Sequence, residues 1–173
     1  EIVKLVIAVA SAGDDHVETL GKIAMTCESE EAVDRIIHMS VDEIYDLFIW
    51  DMDLSYEENM ARRNLGLELA GKVRYLPPFL QPVLPRATKS HWEPCAQVLA
   101  SRSDDELELY LYPLLEWLQD MNWPGADTIY ERLLRFSYPR LEPRLDFMIK
   151  MARKQGDNDW LEILKRLREQ AGK

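Results

Sequence analysis

The chain has 173 residues, of which 47% are hydrophobic and 30% charged, and its formal net charge is −10. That balance belongs to a globular chain with a core, in one domain or two small ones, and excludes a disordered polymer. The acidic surface repels phosphate backbones and anionic headgroups, so neither nucleic acid nor a membrane surface is expected as a partner.

The charge is uneven. Residues 1–86 hold 8 Lys and Arg against 16 Asp and Glu, whereas residues 87–173 hold 13 against 15. The two cysteines, Cys27 and Cys95, are too few for a disulfide framework. Both fall in apolar helical patterns, where reduced core thiols are expected. No run reaches the ~18 apolar residues of a membrane span, and the apolar stretch from Lys4 to Ala12 is short for a signal peptide. A cytoplasmic location without membrane insertion is therefore expected. The chain opens on Glu1 rather than Met, so further residues are expected upstream.

In chain order, Ile2, Val3, Leu5, Val6, Ile7, Ala8 and Val9 form a nearly continuous apolar run ending at Gly13. This predicts a strand buried on both faces, with a short buried helix as the alternative. A single strand cannot satisfy its own backbone, so it needs partners. Five capping-box spacings follow: Asp15…Glu18, Ser40…Glu43, Ser55…Glu58, Ser90…Glu93 and Ser103…Glu106. Each predicts a helix start. The stretch Pro77–Pro85 breaks helical continuity and predicts a stiff, extended linker. It divides the chain into residues 1–76, a linker at 77–85 and a helical part at 86–173.

Beyond the linker, Leu107, Leu111, Leu114, Leu115 and Leu118 recur at helical spacing, as do Ile129, Leu133, Leu134 and Phe136. Leu145, Met148, Ile149 and Ala152 continue the pattern, and Trp160, Ile163, Leu164 and Leu167 close it. The expected fold is mainly α: a short strand–helix–helix segment, then helix pairs.

The block Leu114-Leu115-Glu116-Trp117-Leu118-Gln119-Asp120-Met121-Asn122-Trp123-Pro124 links two of these helices. Pro124 fits a helix's first turn, where a missing N–H is harmless, with Asn122 as the cap and Trp117 and Trp123 packed beneath. Alternatively, Gln119 and Asp120 present an amide and a carboxylate to a partner on a rigid corner. Trp117, Gln119, Asp120, Asn122 and Trp123 are accordingly the candidate binding residues.

Other sites carry less chemistry. His91 and Cys95 lie four apart on one helical face, but two ligands do not complete a zinc site. Asp51, Asp53, Glu57 and Glu58 lack the spacing and glycine of a calcium loop and read as a solvated acidic face. His38 reads as an exposed residue near a helix C-terminus. No nucleophile elbow, phosphate-cradling glycine loop or Ser/His/Asp arrangement is present. No metal and no cofactor is expected.

The Leu114–Pro124 block, with Pro143 read as a downstream helix start and the Asp159-Trp160 pair, resembles a bacterial family of small helical domains of unknown function. The likeness covers roughly residues 84–170. It implies helix pairs similar to those of HEAT-type solenoids, which mostly bind proteins.

A second resemblance covers about residues 2–49. It rests on Val3–Val9, on Asp15-His16-Val17-Glu18-Thr19-Leu20-Gly21-Lys22-Ile23-Ala24, on Ser29–Val33 and on Ser40–Leu47. These are similar to the last third of the enzyme IIA domain of the sugar phosphotransferase system, fructose/mannitol type. The resemblance implies that the opening strand joins a mixed sheet. It further implies that His16 matches the histidine assisting the phosphorylated one, which belongs to an earlier segment. The alternative for His16 is a polar helix-start residue whose proton affinity Asp14 and Asp15 raise. Phosphohistidine transfer needs a neutral, oriented acceptor imidazole, and residues 1–14 supply none.

The expected function is a non-catalytic bacterial interaction or regulatory protein, with a protein partner and a link to the sugar phosphotransferase system. The alternative is a phosphoryl carrier of sugar uptake whose acceptor histidine lies upstream.

Overall fold

A computed structural model of the chain describes residues 41–81 and 88–172. The expected strand at residues 2–9, the capping boxes opened by Asp15 and Ser40, and His16, His38 and Cys27 lie outside these residues. Among the described residues the chain is helical, with no strand. No helix among them is long and apolar enough to cross a membrane. The chain divides into two units, residues 1–72 and 73–173.

In the first unit, α1 (Val41–Phe48) packs against α2 (Tyr56–Lys72). Ile44, Tyr45 and Phe48 supply the buried face of α1, while Gly66, Leu69 and Ala70 supply that of α2. Gly66 lets the helices meet, because a Cβ there would fall 2.8 Å from the Phe48 ring and 3.1 Å from Leu47 Cβ. The connecting turn is organised by Asn59, which is 3% exposed. Its Oδ1 accepts the Asp51 N–H at 2.7 Å, and its Nδ2 donates to the carbonyls of Asp51, at 2.8 Å, and Ser55, at 2.9 Å. The Ser55…Glu58 box forms as its spacing predicts: Ser55 N–H donates to Glu58 Oε2 at 2.8 Å, and Glu58 N–H to Ser55 Oγ at 3.2 Å. Within the acidic group, Asp51 accepts the Asp53 N–H and meets Arg62, while Asp53 and Glu57 are exposed.

The second unit begins with a 3-10 turn, Pro77–Phe79. Here the expectation of an extended linker is corrected for residues 77–81. Leu76, Phe79 and Leu80 are buried, and the Phe79 N–H closes onto the Leu76 carbonyl at 2.9 Å. Apolar burial draws this segment inward, where an exposed PPII spacer would leave three large side chains in water. Residues 82–87 lie outside the description.

Next comes α3 (Lys89–Ala100). The predicted Ser90…Glu93 box does not form. The helix starts two residues earlier, with Thr88 at the cap, and Ser90 Oγ lies 2.6 Å from Thr88 Oγ1. Glu93 turns instead to Gln97 and to Thr128. Cys95 is a buried thiol, as expected.

The run from Leu107 to Leu118 buries all five of its periodic leucines but is not one helix. It divides into α4 (Asp104–Leu107), a 3-10 turn (Glu108–Tyr110), α5 (Leu111–Glu116) and a second 3-10 turn (Trp117–Gln119). Pro113 explains the break, since it has no N–H to offer Leu109 and its ring would clash with that carbonyl in a continuous helix. Restarting at Leu111 puts Pro113 in a first turn, where it is harmless. The Ser103…Glu106 box that opens α4 forms in full.

Three helices complete the unit: α6 (Ala126–Leu134), α7 (Tyr138–Gln155) and α8 (Asn158–Ala171). Pro139, not Pro143, stands at the start of α7; Pro143 is an exposed residue inside that helix. Its missing donor therefore leaves a carbonyl that water can reach. Gly156, at φ 74°, ends α7, and Asp157 caps α8 by accepting the Trp160 N–H at 3.0 Å. This tight link turns α8 back along α7. Helix α6 packs on α3 and α8, and α5 packs on α7. The leucines of α5, Ile129, Leu141, Leu145, Trp160, Leu164 and Leu167 form the shared core. Each fully buried leucine contributes about 2 kcal/mol of transfer free energy.

An ionic lattice closes the side of this unit. Arg132 donates to the Arg102 carbonyl at 2.9 Å and to Asp104 at 2.6 Å, and the other Asp104 oxygen accepts the Ser137 N–H at 2.8 Å. Burial pulls the Asp104 carboxyl upward in pKa, but Arg132 and the Ser137 amide outweigh it and hold the group below its ordinary value. Arg140 pairs with Glu108 and Asp105, Arg144 joins Glu108, and the Arg132 and Arg140 guanidiniums each face the Phe136 ring.

Candidate functional site

The five elbow residues separate into different roles. Trp117 is fully buried, and its Nε1–H donates to the Pro124 carbonyl at 3.2 Å. Trp123 meets Trp92 edge to face, ring centres 5.8 Å apart. Asp120 Oδ1 accepts the Asn122 N–H at 2.8 Å and its Nδ2 at 3.0 Å, closing a local turn. Asn122 is thus not the helix cap, and Pro124 is not in the helix. The cap is Gly125, at φ 85°. A Cβ there would fall 2.5 Å from Ala96 Cβ and 3.1 Å from the Trp92 carbonyl, so only glycine permits both the turn and the approach of α6 to α3.

Gln119 faces elsewhere. With Tyr112 and Glu116 it forms an i, i+4, i+7 row along α5 and the following 3-10 turn, opposite the buried leucines. Across from this row, α7 presents Phe147, Met148, Met151 and Gln155, and Trp160 of α8 closes the floor. The groove between them holds about 270 Å³. That volume is near the lower limit for a small-molecule site and suits one or two inserted side chains.

The rings of Tyr112 and Phe147 meet edge to face at 5.5 Å across the groove's mouth, each a little under half exposed. The Trp160 indole is anchored from below by its Nε1–H bond to the Leu115 carbonyl at 3.1 Å. Glu116 is partly buried among these apolar groups, and that burial raises its carboxyl pKa. Its carboxylate makes no hydrogen bond or ion pair with a described residue. No lysine or arginine lines the groove.

Only half of the groove's signal is local in the sequence. Glu116 lies inside the Leu114–Pro124 block, on the face its leucines leave outward. The partner row on α7 lies about 35 positions further on, and nothing local connects the two.

The other sequence candidates have local roles. His91 is buried, with its Nδ1 3.0 Å from Thr88 Oγ1. Among the described residues, no group of three His, Cys, Asp or Glu is placed to hold a metal ion.

No curated protein and no solved structure matches the chain. Residues 88–171, which contain the elbow and the groove, match the family described as a domain of unknown function, DUF5071.

Proposed function

We propose that the helical part of the chain is a non-catalytic protein-interaction module that seats a partner segment in the groove between α5 and α7. The observation that carries this reading is the pair of half-exposed rings, Tyr112 and Phe147, at the mouth of a groove of side-chain size. Aromatic and methionine side chains are the usual anchors of recognition surfaces. Of the elbow residues, Gln119 contributes directly, and the others hold the corner that positions it. The α7–α8 hairpin, stacked on α6 and α5, supports the comparison with HEAT-type helix pairs as an analogy of fold.

A photoreactive side chain at position 147 tests the proposal in a bacterial lysate. A discrete protein adduct from position 147, and none from exposed position 131 on α6, is expected. No adduct, or the same adducts from both positions, overturns it.

A regulatory link to the sugar phosphotransferase system is supported by the enzyme IIA resemblance of residues 2–49. The same resemblance supports the second reading, a phosphoryl carrier in which His16 assists an upstream acceptor. Incubation of the native protein with phosphoenolpyruvate and the general relay enzymes separates the two. Acid-labile phosphohistidine is expected of a carrier, and a regulator that binds relay proteins without being phosphorylated gives none.

A further inference from the structure

We infer that the occupant of the groove is a basic side chain, lysine or arginine, from an otherwise apolar segment of a partner protein, with its cationic head on Glu116. This deepens the interaction reading above and rests on it.

Three observations converge on this occupant. The first is the state of Glu116. Across the same unit, Asp104, Asp105, Glu106 and Glu108 all pair with arginines, whereas Glu116 is partly buried without a partner among the described residues. A desolvated carboxylate left alone is an unfavourable arrangement that an incoming cation relieves. Its raised pKa agrees with that position. The second is the lining, which brings together the aromatic rings of Tyr112 and Phe147 and the side-chain amides of Gln119 and Gln155, with no competing positive charge. Met148 and Met151 give a polarizable wall for the methylene stem. The third is charge complementarity within the groove itself, where the formally charged side chain of the lining is the acid Glu116.

The alternatives fit less well. An acidic or phosphorylated segment would set like charges against Glu116. A purely apolar side chain would bury the carboxylate further without pairing it.

The test uses the full chain, labelled with nitrogen-15, and two capped peptides, Ala-Leu-Arg-Leu-Ala and the same peptide with citrulline replacing arginine. Citrulline keeps the shape and removes the charge. The arginine peptide is expected to shift the Trp160 indole and Gln119 amide signals, with about tenfold tighter binding than the citrulline peptide. In Glu116→Gln that preference disappears while the spectrum remains that of the folded protein. Equal binding of both peptides, no shift with either, or an undiminished arginine preference in Glu116→Gln overturns the inference. The photo-adduct at position 147 provides the separation from the parent reading. An adduct that survives Glu116→Gln unchanged sinks the basic occupant and leaves the interaction module standing, whereas absence of any adduct sinks both.

Discussion

Replacing Gly125 with alanine tests the packing account most directly. Two costs combine there. The backbone sits at φ 85°, in the left-handed region, which costs a residue with a Cβ about 1 kcal/mol. The new methyl would also lie 2.5 Å from Ala96 Cβ and 3.1 Å from the Trp92 carbonyl, between two helix backbones that cannot swing aside as a long side chain would. Overpacking of this kind costs about 1–3 kcal/mol, so the total expected is about 2–4 kcal/mol. Gly156 supplies the internal control, since it has φ 74° but a methyl added there would meet nothing within 4 Å. Gly156→Ala should therefore show the backbone cost alone, about 1 kcal/mol. Urea unfolding of both variants, followed by tryptophan fluorescence, gives the comparison. If Gly125→Ala loses no more stability than Gly156→Ala, the claim that α6 and α3 meet at a glycine is wrong.

Three further outcomes are expected. Asp104→Asn removes a carboxylate that holds Arg132 and the Ser137 amide, and should cost about 1–3 kcal/mol in urea unfolding at neutral pH. Because the folded Asp104 pKa is depressed, its contribution is present above the ordinary carboxylate value and is lost as pH falls through the lower folded value. The variant should thus show a shallower loss of stability below about pH 4. Glu116 behaves oppositely. Its folded pKa is raised, so its stabilising contribution is full below the ordinary glutamate value and is lost as pH rises through the folded value. Glu116→Gln should be at least as stable as the parent near pH 7, with the advantage vanishing near pH 4, and a loss of stability at pH 7 would contradict its unpaired burial. Asn59→Ala should release the α1–α2 turn, with hydrogen exchange at the Asp51 amide accelerating about tenfold or more, while exchange in α7 and α8 is unchanged.

Features whose partners lie within a few residues were readable from the order of amino acids. The boxes at Ser55 and Ser103 formed because a cap and its glutamate are three positions apart and compete with little else. The periodic leucines of the 107–118 run reached the core because one face of any helix must shed water. The Ser90 box failed for the complementary reason: Glu93 is drawn to Thr128, 35 positions away, and Thr88 claims the Ser90 hydroxyl. Similarly, a proline and an asparagine looked like the natural start of α6. Close approach of α3 instead requires a residue without a side chain, and that requirement moved the start to Ala126.

By itself, then, the sequence determined that the described chain is helical, where α2 and α4 begin, and which leucines of the 107–118 run leave water. Tertiary structure alone decided that Tyr112 faces Phe147, that Glu116 is partly buried without a counter-ion among the described residues, and that Trp117 serves the core and not the surface. The physical reason is range. Caps and amphipathic faces are settled by torsions and solvent over one or two turns, whereas a groove exists only when two outward faces, far apart in the chain, are brought side by side by packing behind them.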